Sequence, residues 1–142
     1  MKLIYRGIEV RSEYYGGKNW NLQSNNTNYH KVFLRNFETR KHTNFEFWCS
    51  IKHPRIETEG DLYEALECFL RDAIAGELSY ETFCDEFGYD MFKEGGYPSA
   101  NSKRAWNGCR VAREKFNRIF EGMDLREVYD DILELERRER EK

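Results

Sequence analysis

The apolar positions of the chain follow two different periods, and the change falls near residue 57. Before it, apolar residues form short runs or alternate with polar ones, as in Ile8–Val10 and Phe45–Cys49. That is the pattern of a strand with one buried face. After it, apolar residues recur every three or four positions, beginning with Leu62–Ile74, which is typical of an amphipathic helix. The pattern therefore predicts an α+β fold, with strands first and helices packed on them.

Residues 1–56 are predicted to be the β-rich part. Their β-prone runs are separated by connections too short for helical crossovers, which favours an antiparallel meander of about three strands. The Gly16-Gly17 pair and the Asn-rich stretch over residues 19–28 indicate a loop between them. A length of 142 residues is typical of one domain with its own core, so we expect residues 1–142 to form a single domain.

Residues 57–142 are predicted to hold three to four helices. Polar residues that favour helix starts precede each apolar stripe, and glycines follow the first three stripes. The stripe of the last helix ends at Leu135, so residues 136–142 are expected to be a frayed, solvated tail. The start signals are Thr58 or Asp61, Ser79, Ser99 or Ser102, and Asp124 with Glu127; the glycines are Gly76, Gly88 and Gly122.

The segment Ser79–Asp90 reads SYETFCDEFGYD, and the helix that follows bears Trp106 and Cys109. This arrangement resembles small accessory proteins of bacterial viruses and prophages, in which an FCxEFGYD box precedes a helix with a Trp or Tyr and a Cys. The resemblance extends back through Phe45–Trp48 and Leu62–Ala73, covering about half to two-thirds of the chain. Residues 91–98 depart from it as an apparent insertion. The resemblance implies a phage or mobile-element origin and is consistent with an inhibitor of the anti-CRISPR type, but it indicates almost nothing about mechanism.

The sequence predicts a cytoplasmic protein. No run approaches the roughly 18 apolar residues of a membrane span, and the N-terminus lacks the apolar core of a signal peptide. The four cysteines include no CxxC pair, so we expect structural thiols rather than disulfides or zinc ligands.

The net charge of −3 conceals blocks of opposite sign. Residues 1–56 hold ten Lys or Arg against four Asp or Glu, whereas residues 57–94 hold two against twelve. Residues 95–123 are basic again, with six against two. Blocks of one sign create local fields that steer partners even when the total charge is small. The charge pattern therefore favours a binding function.

Catalytic constellations are not evident in the sequence. His30, His42 and His53 lie in or beside predicted loops, and the interpretation is that they are exposed and play no catalytic or metal-binding part. The glycine pairs lack the context of a phosphate-binding loop. We therefore predict a protein that is not an enzyme and holds no metal or cofactor.

The acidic block suggests a docking face for a protein partner. Its alternative interpretation is a solvated helix face that the basic segments of the chain neutralise. Like-charged neighbours three residues apart, such as Glu64 and Glu67, cost a few tenths of a kcal/mol in an isolated helix. The candidate residues are Glu64, Glu67, Glu81, Asp85, Glu86 and Asp90.

Basic residues near aromatic ones suggest a nucleic-acid surface instead, since cations hold phosphates and rings stack on bases. The alternative is that the basic helix packs beside the acidic ones. The candidates are Arg35, Arg40 and Lys41 of the predicted second hairpin, with Arg104 and Arg110 of the third helix.

The last helix has apolar residues at Leu125, Val128, Ile132 and Leu135, spaced as in a short coiled-coil seam. This predicts a homodimer through residues 125–135, with packing on the chain's own core as the alternative. The combined hypothesis is a mobile-element protein that inhibits a host defence effector, such as a CRISPR complex, through a charged surface. The alternatives are a nucleic-acid-binding accessory protein using the basic hairpin and a sponge that captures a nucleotide immune signal between subunits.

Overall fold

In the computed structural model of the chain, the structure describes residues 1–14, 28–49, 56–93, 96 and 99–142. These residues form an antiparallel sheet and four helices, which confirms the predicted α+β fold. The strands are β1 (Lys2–Tyr5), β2 (Ile8–Tyr14), β3 (Asn28–Asn36) and β4 (His42–Cys49); the helices are α1 (Glu59–Ala75), α2 (Tyr80–Phe87), α3 (Ala100–Ile119) and α4 (Leu125–Arg140).

The sheet has four strands in the order β1-β2-β3-β4, rather than the predicted three or so. The extra strand arises because β1 and β2 form a hairpin of their own across a two-residue turn. Both turn residues, Arg6 and Gly7, have positive φ angles of 47° and 79°. Positive φ at both positions suits the twist of two-residue hairpins. The sequence does not predict this turn, because asparagine, aspartate or glycine, and not arginine, is usual at its first position.

One face of the sheet is buried. Val10 lies opposite Leu34, and Val32 lies opposite Phe45, and all four side chains are at most 7% exposed. Residues of the same parity in each strand share this face because side chains alternate along a strand.

His30 lies on this buried face, two residues before Val32, and is 1% exposed. The prediction of an exposed loop histidine is therefore wrong for His30. The centroid of its ring is 5.1 Å from that of Tyr14, its cross-strand neighbour in β2. His42 is exposed in β4, and His53 lies outside the described residues.

Internal contacts divide the chain into two compact units. The sheet unit comprises residues 1–66 and 132–142, and the helical unit comprises residues 67–131. The division falls within α1 and within α4. The prediction that residues 1–142 form a single domain stays a prediction.

The start of α1 is a reciprocal cap made by both residues that the sequence proposed. The Thr58 hydroxyl accepts the Asp61 backbone N–H at 3.1 Å, and the Asp61 carboxylate accepts the N–H groups of Glu57 and Thr58. The starts of α2 and α3 are also confirmed, with the Ser79 and Ser99 hydroxyls accepting backbone N–H groups three residues on. These caps satisfy donors that have no partner inside a helix.

The expected frayed tail after Leu135 is wrong for residues 136–140, which continue α4. Charges of opposite sign three and four residues apart stabilise the helix, as in the pairing of Arg137 with Glu134 and Glu141. Arg140 also binds α1, with its Nη1 2.8 Å from Asp61 Oδ1 and its Nη2 3.1 Å from Glu64 Oε2. The end of α4 is thereby fixed within the sheet unit.

We expect Arg140→Ala to lower the free energy of unfolding by about 0.5–1 kcal/mol at pH 7, since both ion pairs are partly solvated. Partial burial alone raises the pKa of Asp61, but hydrogen bonds from Arg140 and the backbone outweigh it, so the pKa lies below its ordinary value of 3.8. A lowered pKa gives stability that is present above the ordinary value and is lost as the pH falls through the folded-state pKa. Urea denaturation at pH 7 and at about pH 3 should therefore show a smaller effect in acid.

Lys142→Ala is the matched control, because Lys142 binds Glu139 of its own last turn, at 2.8 Å. We expect it to change stability by less than about 0.5 kcal/mol. Equal effects of the two substitutions would contradict the role assigned to the pairing of Arg140 with α1.

None of the helices in the described ranges is both long enough and apolar enough to cross a membrane.

Candidate docking surface on helix α2

The SYETFCDEFGYD segment folds into α2 and the turn after it. The helix ends at Gly88, which has a φ of 72° and donates its N–H to the Cys84 carbonyl. A left-handed residue at this position favours glycine because a side chain there is strained. The predicted ends of α2 are therefore confirmed.

Two residues of α3 hold this segment in place within the helical unit. The Trp106 indole N–H donates to the Leu78 carbonyl at 3.0 Å, and the Ser102 hydroxyl donates to the Asp90 carbonyl at 2.6 Å. Both bonds reach carbonyls of the loops that flank α2. They give a structural reason for the joint presence of the FCDEFGYD box and the tryptophan helix.

The inner side of α2 belongs to the core of the helical unit. Phe83 and Cys84 are buried with Ala75 of α1, and Cys109 of α3 packs against them. Burial, and secondarily the charge of Asp72, raises the pKa of the Cys109 thiol to about 11, so this thiol is protonated at neutral pH. The three cysteines with described side chains, Cys68, Cys84 and Cys109, are free thiols.

The outer side of α2 and its following turn present four exposed carboxylates, here called the α2 acidic patch: Glu81, Asp85, Glu86 and Asp90. Across the described residues, none of the four forms an ion pair with a Lys, Arg or His side chain. The alternative interpretation, in which basic segments of the chain neutralise the acidic face, is thus not seen for this patch among the described residues.

The acidic residues of α1 behave differently. Glu64 pairs with Arg140 in the sheet unit. Glu67 is only 8% exposed, pairs with Arg71 and lies 3.5 Å from the Tyr129 hydroxyl. The expectation that Glu67 lies on an exposed acidic face is therefore wrong, because Glu67 shares the buried face of α1 with Tyr63 and Leu70.

Two residues of the patch, Asp85 and Glu86, oppose the electrostatics of their own helix. Asp85 and Glu86 lie in the last turn of α2, which has no basic residue. Carboxylates near a helix C-terminus face the negative end of the helix dipole and cost a few tenths of a kcal/mol or more each. Neither the local helix nor the described ion pairs account for acidic residues at these positions.

Aromatic rings border the acidic patch. Phe87 is 49% exposed and Tyr89 is 43% exposed, and each ring contacts the buried Phe83 ring, at centroid distances of 5.0 and 5.3 Å. Phe92, in the next loop, is 57% exposed. Rings that are held in place and still exposed lose little side-chain entropy when a partner covers them.

A cleft of about 450 Å³ lies on the same side of α2. Its lining residues include Glu81, Asp85 and Tyr89. A carboxylate accepts hydrogen bonds from a guanidinium, and an aromatic face attracts its charge. The cleft is therefore suited to a basic side chain of a partner.

The three candidate cations of the sheet unit lie in and beside the β3–β4 hairpin. Arg35 is exposed on β3, 5.0 Å from the Phe37 ring. Arg40 is exposed in the turn with a φ of 64°, and Lys41 follows it. Neighbouring cations of the sheet bind glutamates, Arg11 with Glu13 and Lys31 with Glu46. These pairs reduce the positive field that the sequence suggested for this region.

The other two candidates, Arg104 and Arg110, are exposed on α3, whose cations are spread around its polar side. Lys103 and Arg110 lie over the Trp106 ring, at 5.4 and 4.7 Å from its centroid. Lys103, Arg104, Arg110 and Arg113 form no ion pair within the described part of the chain. Although α2 and α3 are neighbours, the two charged surfaces therefore do not neutralise each other through direct contacts.

Most apolar residues of the predicted dimer seam in α4 are buried within the chain itself. Leu125 is 3% exposed, and Val128 and Ile132 are fully buried. This agrees with the alternative of packing on the chain's own core. A homodimer through residues 125–135 would have to use other side chains of that segment.

Comparisons were made with protein-family models, curated proteins and solved structures, and none matches this chain.

Over the described residues, no group of three or more His, Cys, Asp or Glu side chains is arranged to hold a metal ion.

Proposed function

We propose that this chain is a binding protein of a phage or other mobile element that works in the host cytoplasm. It inhibits a host defence effector, most concretely a CRISPR nucleoprotein complex, by docking the α2 acidic patch on that effector. The origin rests on the resemblance of the FCDEFGYD box and its helix to phage accessory proteins. The mode of action rests on one observation, the α2 acidic patch, whose four exposed carboxylates form no ion pair with any residue that the structure describes.

A nucleic-acid-binding groove is the partner surface that this patch fits best. Such grooves present Arg and Lys side chains to phosphates, and the four carboxylates take the place of those phosphates. Opposite charges on the two surfaces speed and orient the encounter. The exposed Phe87 and Tyr89 rings supply the apolar anchors that dominate most interface energies, and the 450 Å³ cleft receives one arginine.

The test is affinity capture from a host lysate, eluted in steps of rising salt, with a variant reversing Asp85, Glu86 and Asp90 to Lys. We expect the wild-type chain to retain a defence effector in stoichiometric amount and to inhibit its nuclease activity after purification, and the variant to do neither. The variant should melt at the same temperature or higher, since two of its lysines favour the helix dipole in the last turn of α2.

The matched control reverses Glu38, Glu114 and Asp130, which are also exposed and lie in the β3–β4 turn, α3 and α4. It changes the net charge by the same amount. We expect it to bind and inhibit as the wild-type chain does. Equal loss in both variants would show a general charge effect, and retention in both would exclude the α2 acidic patch.

A second candidate function is nucleic-acid binding. For this function α3 is favoured over the hairpin by the four α3 cations that form no ion pair with described residues, which are Lys103, Arg104, Arg110 and Arg113. In the same capture experiment, this function predicts that nucleic acid alone is retained and is released at moderate salt. Cations that bind phosphates displace counterions from the nucleic acid, so the affinity falls as the salt concentration rises. Substituting Arg104 and Arg110 by Ala should then weaken binding, whereas reversing the α2 acidic patch should not. Substituting Arg35, Arg40 and Lys41 by Ala tests the hairpin in the same way.

A further inference from the structure

A second cleft, of about 390 Å³, lies within the helical unit between the C-terminal part of α1, α2 and α3. This volume falls in the range of about 300–1,000 Å³ that is usual for small-molecule sites. The cleft does not include Asp85, Glu86 or Asp90. The lining groups with chemical significance are Arg71, Asp72, Phe87, Tyr89, Arg104 and Gly108.

We propose that this cleft binds a nucleoside monophosphate, with the base against the aromatic wall and the phosphate on the arginines. This inference does not depend on the docking function, although Phe87 and Tyr89 belong to both surfaces. Three features of the cleft support it: two aromatic rings held in position, an arginine that forms no ion pair with a described residue, and a helical glycine that leaves space in the cleft.

The aromatic wall suits a planar ligand. Phe87 and Tyr89 are about half exposed, and both rings rest on the buried Phe83. A nucleobase that stacks on an aromatic side chain gains about 1–3 kcal/mol by alanine substitution in other proteins. The rings need no reordering to receive it, because Phe83 already holds them.

The charges at the cleft suit one anionic group. Arg104 makes no ion pair with any described residue, whereas Arg71 shares its guanidinium with Glu67. Arginine binds phosphate through two parallel hydrogen bonds. Asp72 contributes a carboxyl oxygen that accepts from a base amino group or a ribose hydroxyl. The neighbouring Cys109 thiol, with its pKa of about 11, adds no negative charge at neutral pH.

Gly108 supplies the argument from sequence. A glycine inside a helix costs about 0.5–1 kcal/mol relative to alanine, so its presence needs a reason. Gly76 lies outside the helices, just after the end of α1, and packing explains it, since an added Cβ would lie 2.4 Å from the Cys109 carbonyl oxygen. At Gly108 an added Cβ would meet no atom within 4 Å. Packing therefore does not explain this glycine, whereas the need to keep space open in the cleft does.

The test is calorimetric titration of the full chain with AMP, GMP, CMP, UMP and 3′,5′-cyclic AMP, and with adenosine and inorganic phosphate as separate arms. We expect at least one nucleotide to bind, at least about tenfold tighter than adenosine or phosphate, because the ring and the anion contribute together. Arg104→Ala should weaken binding at least about tenfold, and Gly108→Trp should abolish it by filling the cleft. The reversal of Asp85, Glu86 and Asp90 to Lys should not weaken nucleotide binding, because none of the three lines the cleft and added positive charge attracts a phosphate; this separates the result from that of the docking test.

Backbone amide chemical shifts of the wild-type chain give a second readout that does not depend on any variant's folding. We expect nucleotide-induced changes at Arg71, Tyr89, Arg104 and Gly108. The proposal is overturned if no nucleotide binds at millimolar concentration, if adenosine or phosphate binds equally well, or if the shifts change elsewhere. Binding that survives both Arg104→Ala and a folded Gly108→Trp variant overturns it as well.

Discussion

Gly76→Ala is expected to destabilise the chain by about 1–3 kcal/mol, the range for overpacking a close contact. Gly76 follows the end of α1, and a Cβ there would lie 2.4 Å from the carbonyl oxygen of Cys109 and 2.7 Å from its carbonyl carbon. Both are backbone atoms in the middle of α3, so no side-chain rotation relieves the clash. The two helices must separate, and the cluster of Ala75, Phe83 and Cys84 loses contacts. Urea denaturation followed by circular dichroism measures the change.

Gly108→Ala is the matched control, because it adds the same methyl group to α3 in open space. We expect it to raise the free energy of unfolding by about 0.5–1 kcal/mol, since alanine loses less backbone entropy in a helix than glycine does. The two substitutions should therefore shift the urea midpoint in opposite directions. Shifts of the same sign would contradict the close approach of the α1 end to α3.

The fold was predictable where one local signal sufficed. Period and capping act over three or four residues, so the caps at Thr58, Ser79 and Ser99 and the α2 end at Gly88 follow from the sequence. The β1–β2 hairpin was missed because its turn places Arg6 at a positive φ, a position where a sequence reading expects glycine or asparagine. His30 was misplaced although its parity with Val32 and Leu34 was visible.

The candidate site was less predictable, because whether a charged side chain forms an ion pair depends on residues that are distant in the sequence. Glu64 and Asp85 look alike in the sequence, yet Glu64 meets Arg140, 76 residues away, and Asp85 meets no cation among the described residues. The end of α4 was expected to fray for the same reason, since its contact with Asp61 spans 79 residues. No window of local sequence contains these pairings.

The FCDEFGYD box separates into structural and unexplained positions. Phe83 and Cys84 are core residues, and Gly88 adopts the left-handed conformation that ends α2. Asp85 and Glu86 are exposed and oppose the helix dipole. Selection for folding accounts for the first group. The second group is the part of the box that a binding function explains.

The second large stability effect is expected at Trp106, which joins α3 to the loop before α2. Its indole N–H donates to the Leu78 carbonyl at 3.0 Å, and its ring lies 5.4 Å from that of Tyr80. We expect Trp106→Phe to cost about 1 kcal/mol, because the partly buried carbonyl loses its donor while most of the ring remains. Trp106→Ala also loses the ring, and we expect a cost of about 3 kcal/mol, the lower end for truncating large aromatic residues.

The contact predicts that Trp106→Ala destabilises the chain more than Trp106→Phe does, and urea denaturation of both variants measures the two effects. Val111→Ala on the same helix is the control, since Val111 is 49% exposed and we expect a change within about 0.5 kcal/mol. If Trp106→Phe destabilised as much as Trp106→Ala, the hydrogen bond to Leu78 would outweigh the packing of the ring. If neither variant differed from Val111→Ala, Trp106 would not hold the box, and its place in the resemblance would call for a role at the surface, where Lys103 and Arg110 already lie over its ring.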